Sequence, residues 1–385
     1  MRIALITPGF SADEGDWCIP WLLNLARGLA ARHDLRLFSL RYPHRRGRYT
    51  VGGAAVQAFG GATAGGLRRL PLLLAARAAI LAEHRRRPFD VVHGLWADEP
   101  GFLAVSAVRR LRLPTVVSLL GGELVGFPDL GYGGQLSRAN RWLTAQALGA
   151  GDRVTVGSTY LRGLARAHVG PDRLVLWPLG VDTRLFRPEG ERIDLAGSFR
   201  LLHVAGLTPI KDQATLLRAV AQASSQLPGL HLHLIGAGPL LPALAELTQA
   251  LGLARQVTFH GPIAHDRLPA FYRGADLFVL SSRFESQSLA VLEAAACGCP
   301  AVGTAVGILP DLLPPDLLAP PGNAEALAAA IAHAFAGPGR RQTRPDPGEE
   351  ARPPDPHLAA RYTLAHTFPA LEHIYRQIIE STTAM

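Results

Sequence analysis

The stretch ADLFVLSSRFESQSLAVLEAAACGCPAVGT (275–304) holds two short apolar runs with a helical pattern between them. ADLFVLS (275–281) and PAVGT (300–304) read as buried strands, and SLAVLEAAACG as the helix joining them. That order makes a parallel strand pair. In an open parallel sheet, ligands bind at the carboxyl ends of the strands. Glu285 falls there, in the loop before the helix. The backbone N–H groups of Ser286, Gln287, Ser288 and Leu289 open the helix, a natural place for an anion. Glu293 lies about two turns further on, at ~1.5 Å per residue. Its neighbours Val291, Leu292 and Ala294 are apolar. A carboxylate there is either exposed or buried with a partner, and a pair of ligand hydroxyls is one such partner. Glutamates at this spacing are common on helices; the position after a strand gives the pair its weight.

The same alternation runs outward in both directions. LLHVAG (201–206), LHLHLIG (230–236) and QVTFHG (256–261) read as further strands, with helices such as DQATLLRAVAQAS between them. Upstream, RIALIT (2–7), LRLFSL (35–40), DVVHGLW (90–96), TVVSLLG (115–121), RVTVGS (153–158) and LVLWPLG (174–180) form a second series. The expected fold class is α/β, with two doubly wound parallel-sheet (Rossmann-like) domains over 1–182 and 201–336. The polar segment TRLFRPEGERIDLAGSFR (183–200) reads as their linker. Segment 337–357, rich in Pro, Gly and charge, reads as a flexible loop. Residues 358–385 read as a last helix returning toward the first domain, kinked or broken at Pro369.

Composition narrows the partners. The 385 residues carry a net charge of +8, with 48% apolar and 18% charged residues. Such a balance suits a globular protein with anionic partners. The arginines come in small clusters without interleaved aromatics, which argues against nucleic acid. Contact with an anionic membrane is a further expectation, resting on the charge and on Phe10, Trp17 and Trp21. Cys18, Cys297 and Cys299 give neither a disulfide framework nor a zinc spacing. No signal-peptide or membrane-spanning run is read, so the expected location is cytoplasmic, at most peripheral at the inner membrane face.

The sharpest residues cluster at expected strand ends. Of the 39 Lys and Arg residues a single one, Lys211, is lysine. It stands where a strand hands over to a helix that Asp212 could cap. A compact ammonium there suits a diphosphate; a solvated surface lysine is the other reading. Gly236 and Gly238 follow a strand but lack the third glycine of a dinucleotide fingerprint. Gly9 either makes a tight turn or lets backbone approach a phosphate. His93 is either a core histidine or a site residue. Trp96, Glu123 and Ile263 also follow strands.

Together these segments resemble the retaining glycosyltransferases of family 4, the "glycosyl transferases group 1" class with the GT-B fold. RFESQSLAVLEAAACGCPAVGTAVG is similar to the family's E-x7-E segment, HVAGLTPIKDQATLLRAV to its phosphate loop, and LIGAGPLLPAL to its glycine loop. DVVHGLW, GDRVTVGSTYLRG and PLGVDTRLFRP match in the first half. The resemblance implies two domains facing a central cleft. It implies transfer of a hexose from a UDP- or GDP-sugar to a saccharide, lipid or small-molecule acceptor, with retention and without a bound metal. Lys211 would contact the donor diphosphate, Glu285 the transferred sugar and Glu293 the ribose. Gly9, Gly206, Gly236, Gly238 and the backbone of Ser286 to Leu289 would bind donor groups, and Ile263 would read the base. His93 would act on the acceptor side, with Trp96 and Glu123. The sequence departs from the family where an Arg is replaced by Gly206, a Gly-Phe-Gly by Ser286-Gln287-Ser288, an Asn by Leu179 and a second His by Leu95. These departures motivate an alternative, a non-catalytic sugar-nucleotide-binding or scaffold protein of the same fold.

Overall fold

The computed structural model describes residues 1–16, 18–62, 66–108, 111–336 and 361–383. Trp17 and segment 337–357 lie outside the described residues. The chain divides into two compact units: Met1–Pro178 with Ala365–Met385, and Leu179–Leu364.

The first unit is an eight-stranded sheet in the order β3-β4-β2-β1-β5-β6-β7-β8. Its strands are β1 (Arg2–Gly9), β2 (Asp34–Tyr42), β3 (Arg46–Val51), β4 (Ala54–Phe59), β5 (Val91–Leu95), β6 (Thr115–Leu119), β7 (Arg153–Val156) and β8 (Leu174–Leu176). The connecting helices are α1 (Pro20–Ala30), α2 (Arg69–Arg86), α3 (Glu99–Val108), α4 (Arg138–Ala150) and α5 (Thr159–Ala165). Every pairing is parallel except β3 with β4. That antiparallel hairpin corrects the expected all-parallel domain. β3 is an edge strand exposing Arg46, Gly47 and Arg48, so it carries no apolar run to read. The central strands β5 and β6 are buried along their whole length, as strands covered on both faces must be.

The second unit is a six-stranded parallel sheet in the order β11-β10-β9-β12-β13-β14. Its strands are β9 (Phe199–Val204), β10 (Leu230–Ile235), β11 (Val257–Gly261), β12 (Leu277–Leu280), β13 (Ala301–Thr304) and β14 (Leu318–Ala319). Its helices are α6 (Gln213–Ala223), α7 (Leu241–Ala250), α8 (Leu268–Gly274), α9 (Leu289–Ala296), α10 (Leu309–Leu312) and α11 (Ala324–Ala336). The 275–304 stretch is the β12–α9–β13 unit. The order reverses between β9 and β12, which makes their carboxyl ends the switch point of the sheet.

Segment 183–200, expected as the linker, packs within the second unit. Phe186 is fully buried, with its ring 5.1 Å from that of His265 and 6.0 Å from that of Tyr272. Ile193 N–H donates to the Ala270 carbonyl, and Phe199 already opens β9. A few spaced apolar side chains anchor a segment whose composition reads as polar.

The last helix, α12 (Leu364–Thr383), runs through Pro369 without a break. Proline here removes one helical hydrogen bond, that to the Ala365 carbonyl, near the start of a twenty-residue helix. Its buried face includes Leu371, Ile374, Tyr375 and Ile378. No helix among the described residues is long and apolar enough to cross a membrane.

Candidate functional site

Two loops meet at the β9/β12 switch point. After β9 the chain makes a short turn, Pro209–Lys211, and starts α6 at Asp212. Asp212 takes a left-handed conformation (φ +48°), and its carboxylate accepts from Thr215 N–H and Thr215 Oγ1. After β12, Ser281 Oγ donates to the Lys211 carbonyl at 2.8 Å and Arg283 N–H to the Ile210 carbonyl at 2.8 Å. These bonds fix one loop on the other. Lys211 Nζ then donates to Glu285 Oε1 at 2.6 Å, and Ser282 Oγ donates to the same oxygen at 2.7 Å. The Lys211 side chain keeps 28% of its exposure, while that of Glu285 keeps 10%. The ammonium is therefore the accessible end of the pair. Sequence reading missed Ser282, because a lone serine in a loop carries no pattern.

Beneath this pair lies His203, buried with Nδ1–H donating to the Val279 carbonyl at 2.9 Å. Gln213 spans from His203 Nε2 to the Gly206 carbonyl. Burial holds His203 neutral and pushes its pKa down to about 4. Burial likewise pushes His233 on β10 down to about 4. A histidine with a depressed folded pKa contributes stability that is complete above about 6.5 and is lost as pH falls from there toward the folded value. Acid should therefore loosen the second unit. Amide protection factors in β9 and β10, which take out the pH dependence of intrinsic exchange, should fall between pH 6.5 and 4.

At the start of α9, Ser288 stands at φ +81°, a conformation that favours glycine. The fold thus retains the glycine-type backbone where the residue is serine. Gln287 is buried, and its amide exchanges two 2.8 Å bonds with the backbone N–H and carbonyl of Leu179. The side chain is thus engaged inside the unit; the sequence reading called only on the backbone of Ser286 to Leu289. Leu179 is held by its backbone, so that tie needs no asparagine there.

Glu293 on α9 faces α8 and the loop before it. Its Oε1 accepts from His265 Nε2 at 2.9 Å and its Oε2 from Tyr272 Oη at 3.0 Å. Burial and the neighbouring carboxylate raise the Tyr272 phenol well above its usual range, so it stays a donor. Each carboxylate oxygen has a second lone pair. Neither His265 nor Tyr272 stood out in the sequence as a partner of Glu293.

Gly236 and Gly238 have a plain steric cause. A Cβ on Gly236 (φ +136°) would lie 1.9 Å from the Ala205 carbonyl oxygen, and one on Gly238 would lie 2.3 Å from that of Leu207. The glycine loop is needed for close approach to the 205–207 loop. A Cβ on Gly206 meets nothing closer than 3.8 Å. Ile263 is half-buried just after β11.

In the first unit, Gly9 ends β1 and Trp96 follows β5, the strands flanking the other switch point. Gly9 is buried, and a Cβ there would lie 3.1 Å from Tyr42 Cβ. Trp96 adopts φ +72° and packs on Trp21, with centroids 5.7 Å apart. The fully buried Phe10 is internal, which corrects its reading as a membrane-facing aromatic, while Trp21 is half-buried. Glu123 is buried and accepts backbone N–H groups from Ala97, Leu120 and Gly121. Burial, and then the charge of Asp98, push its carboxyl up to about 7. Its first task is to knit the loops after β5 and β6. Nearby, the buried Glu99 pairs with Arg41 at 2.7 Å and Arg69 at 2.6 Å. Asp98 lies beside the same guanidiniums, so both signs of charge meet at this end of the sheet.

His93 is corrected outright. It lies fully buried in mid-strand on β5, with Nδ1 2.7 Å from Tyr375 Oη and Nε2 2.7 Å from Ser118 Oγ. Burial depresses its pKa to about 3. Both ring nitrogens are used inside the unit, so it reaches no substrate. His93→Phe should lower unfolding stability by about 2–4 kcal/mol, because two buried hydroxyls lose a partner. Its kcat should stay near wild type, as denaturation and steady-state assays would show.

Two Rossmann-like sheets, each with loops gathered at its own switch point, are the architecture of the GT-B fold. The comparisons then give the family. The sequence profile described as "Glycosyl transferases group 1" matches residues 198–336, and that of "Glycosyltransferase Family 4" matches 21–185. The chain belongs to the family-4, group 1 glycosyltransferases. It is 30% identical over 317 residues to the D-inositol 3-phosphate glycosyltransferase of Mycolicibacterium gilvum, covering 75% of this chain and 66% of that one. It is 34% identical over 175 residues to the GDP-mannose-dependent alpha-(1-6)-phosphatidylinositol monomannoside mannosyltransferase of Mycobacterium tuberculosis. That match covers 42% of this chain and only 46% of the mannosyltransferase. Among solved structures, sucrose-phosphate synthase from Thermosynechococcus elongatus matches with TM-score 0.76 and 21% identity, over 99% of this chain and 100% of that one. Anabaena HepE, in complex with UDP and glucose, matches with TM-score 0.71 and 18% identity over the whole of both chains.

Proposed function

We propose that the chain is a retaining glycosyltransferase that moves a hexose from a nucleoside-diphosphate sugar to an acceptor. The observation that carries this reading is the Lys211–Glu285 pair at the switch point, at the foot of α9. In the free protein each group neutralises the other. With donor bound, Lys211 turns to the diphosphate and Glu285 accepts hydrogen bonds from sugar hydroxyls. The N–H groups opening α9 add positive potential there, and Glu293 takes the ribose hydroxyls. The sugar C1–O bond to the diphosphate breaks while C1 bonds the acceptor oxygen on the same face. The acceptor's proton passes to the leaving diphosphate. HepE, a structural neighbour, is in complex with UDP, and the mannosyltransferase relative is named for GDP-mannose. UDP- and GDP-sugars are therefore the donors to test. The acceptors in the relatives' names carry inositol phosphate or phosphatidylinositol. Arg41 and Arg69 beside Glu99 would suit such an anionic acceptor.

Among the described residues no group of three or more His, Cys, Asp or Glu side chains is placed to hold a metal ion. We expect the diphosphate charge to be met by Lys211 and backbone, so a chelator should leave turnover within about twofold of the untreated rate, far less than loss of a catalytic donor costs. The test of the function is release of nucleoside diphosphate from a panel of UDP- and GDP-sugars with phosphoinositol, glycolipid and saccharide acceptors. Turnover of none of them would reject it. The open space at Gly206 keeps the second reading, a binder without turnover, in view. Calorimetric binding of UDP or GDP without turnover of any donor would favour that reading.

A further inference from the structure

We infer that the outward face of α2 and the start of α4 form a docking surface for an anionic lipid bilayer. α2 buries Leu72, Leu73, Ala76 and Ile80 against its sheet. A surface helix normally turns a polar face outward. Here the outward residues include Leu70 (59% exposed), Leu74 (56%) and Pro71, beside the exposed arginines Arg68, Arg77, Arg85 and Arg86. α4 continues the surface. Trp142 is 55% exposed, with only part of its ring against Phe102, and Arg138 and Arg141 stand exposed beside it. Arg69 Nη1 donates to Asn140 Oδ1 at 2.9 Å, which brings the two helix starts together.

Charge settles which occupant fits. The sole acidic residue of α2, Glu83, is held by Arg2 at 2.6 Å, and α4 has no acidic residue. Apolar side chains and a tryptophan flanked by arginines suit a headgroup layer: the apolar parts enter its boundary while the guanidiniums meet anionic lipid. A protein partner would need an acidic, apolar counter-face. Both helices start at the carboxyl end of the sheet, the end that carries Trp96 and Glu123. Docking there would bring a membrane-borne acceptor to the first unit. The surface itself does not depend on the transferase reading.

The experiment is sedimentation of the full chain with vesicles of phosphatidylcholine, with and without phosphatidylglycerol, at low and high salt. Binding should need phosphatidylglycerol and weaken with salt. Arg138→Gln with Arg141→Gln should lower partitioning about tenfold or more. Leu70→Ser with Leu74→Ser should lower it similarly, and both variants should keep the wild-type melting profile, since these side chains are exposed. Absence of binding to anionic vesicles at low salt overturns the inference. So does binding that neither variant weakens. Self-association abolished by the same substitutions would assign the patch to a second copy of the chain instead.

Discussion

Lys211→Ala should lower kcat for sugar transfer by about a thousandfold, with the fold unchanged. The size follows from its task. Removing a single preorganised donor from a developing negative charge costs about 10²–10³ in rate, and a full cation on a leaving diphosphate belongs at the upper end. No other cation is placed by sequence in the phosphate loop, because Gly206 stands where the family often has arginine. The ammonium end of Lys211 is partly exposed, and Glu285 keeps the Ser282 hydroxyl as a donor. The loop is held by Ser281 and Arg283 through the backbone of Lys211 and Ile210, which alanine keeps. Lys211→Arg should also impair transfer, since a planar fork cannot occupy the place of a compact ammonium. Single-turnover kinetics with saturating donor will separate loss of chemistry from loss of binding. Wild-type kcat in Lys211→Ala would remove Lys211 from the reaction.

Glu285→Ala should cost about 10²–10³ in kcat/KM by losing the carboxylate proposed to orient the sugar. The two substitutions should not add. Once Lys211 no longer holds the leaving group, correct placing of the sugar gains less, so the double variant should fall well short of the product of the single losses. A purely structural role for Glu285 predicts otherwise. Ser282 and Lys211 would lose their shared acceptor, the melting temperature would drop, and kcat would follow it. Melting curves and kcat measured on the same preparations distinguish the two. Glu285→Gln is the control: it preserves the shape and loses the charge.

The sequence carried most of the fold because the central strands are covered on both faces and so read as unbroken apolar runs. It missed β3 and β4: an edge strand with arginines on it needs no such run, and β4 alternates buried and half-buried residues for most of its length. It read 183–200 as a linker because a few anchoring side chains such as Phe186 do not change a polar composition. At the site, position after a strand was enough to single out Lys211, Glu285 and Glu293. What surrounds them was not legible. Ser282, Tyr272 and His265 reach the glutamates only through folding, from 3, 21 and 28 residues away. The histidine of DVVHGLW shows the converse. A motif position suggested the acceptor side, and burial between Tyr375 and Ser118 gives it to the core.

The central claim is transfer with retention from a nucleotide sugar. The most direct measurement is the product itself: incubation of the protein with the UDP- and GDP-sugar panel and phosphoinositol or lipid acceptors, followed by mass spectrometry and proton NMR of the new linkage. The account predicts an acceptor heavier by one hexose residue, with the anomeric configuration of the donor, formed about a thousandfold more slowly by Lys211→Ala. A product of inverted configuration, or no product from any donor, would contradict it.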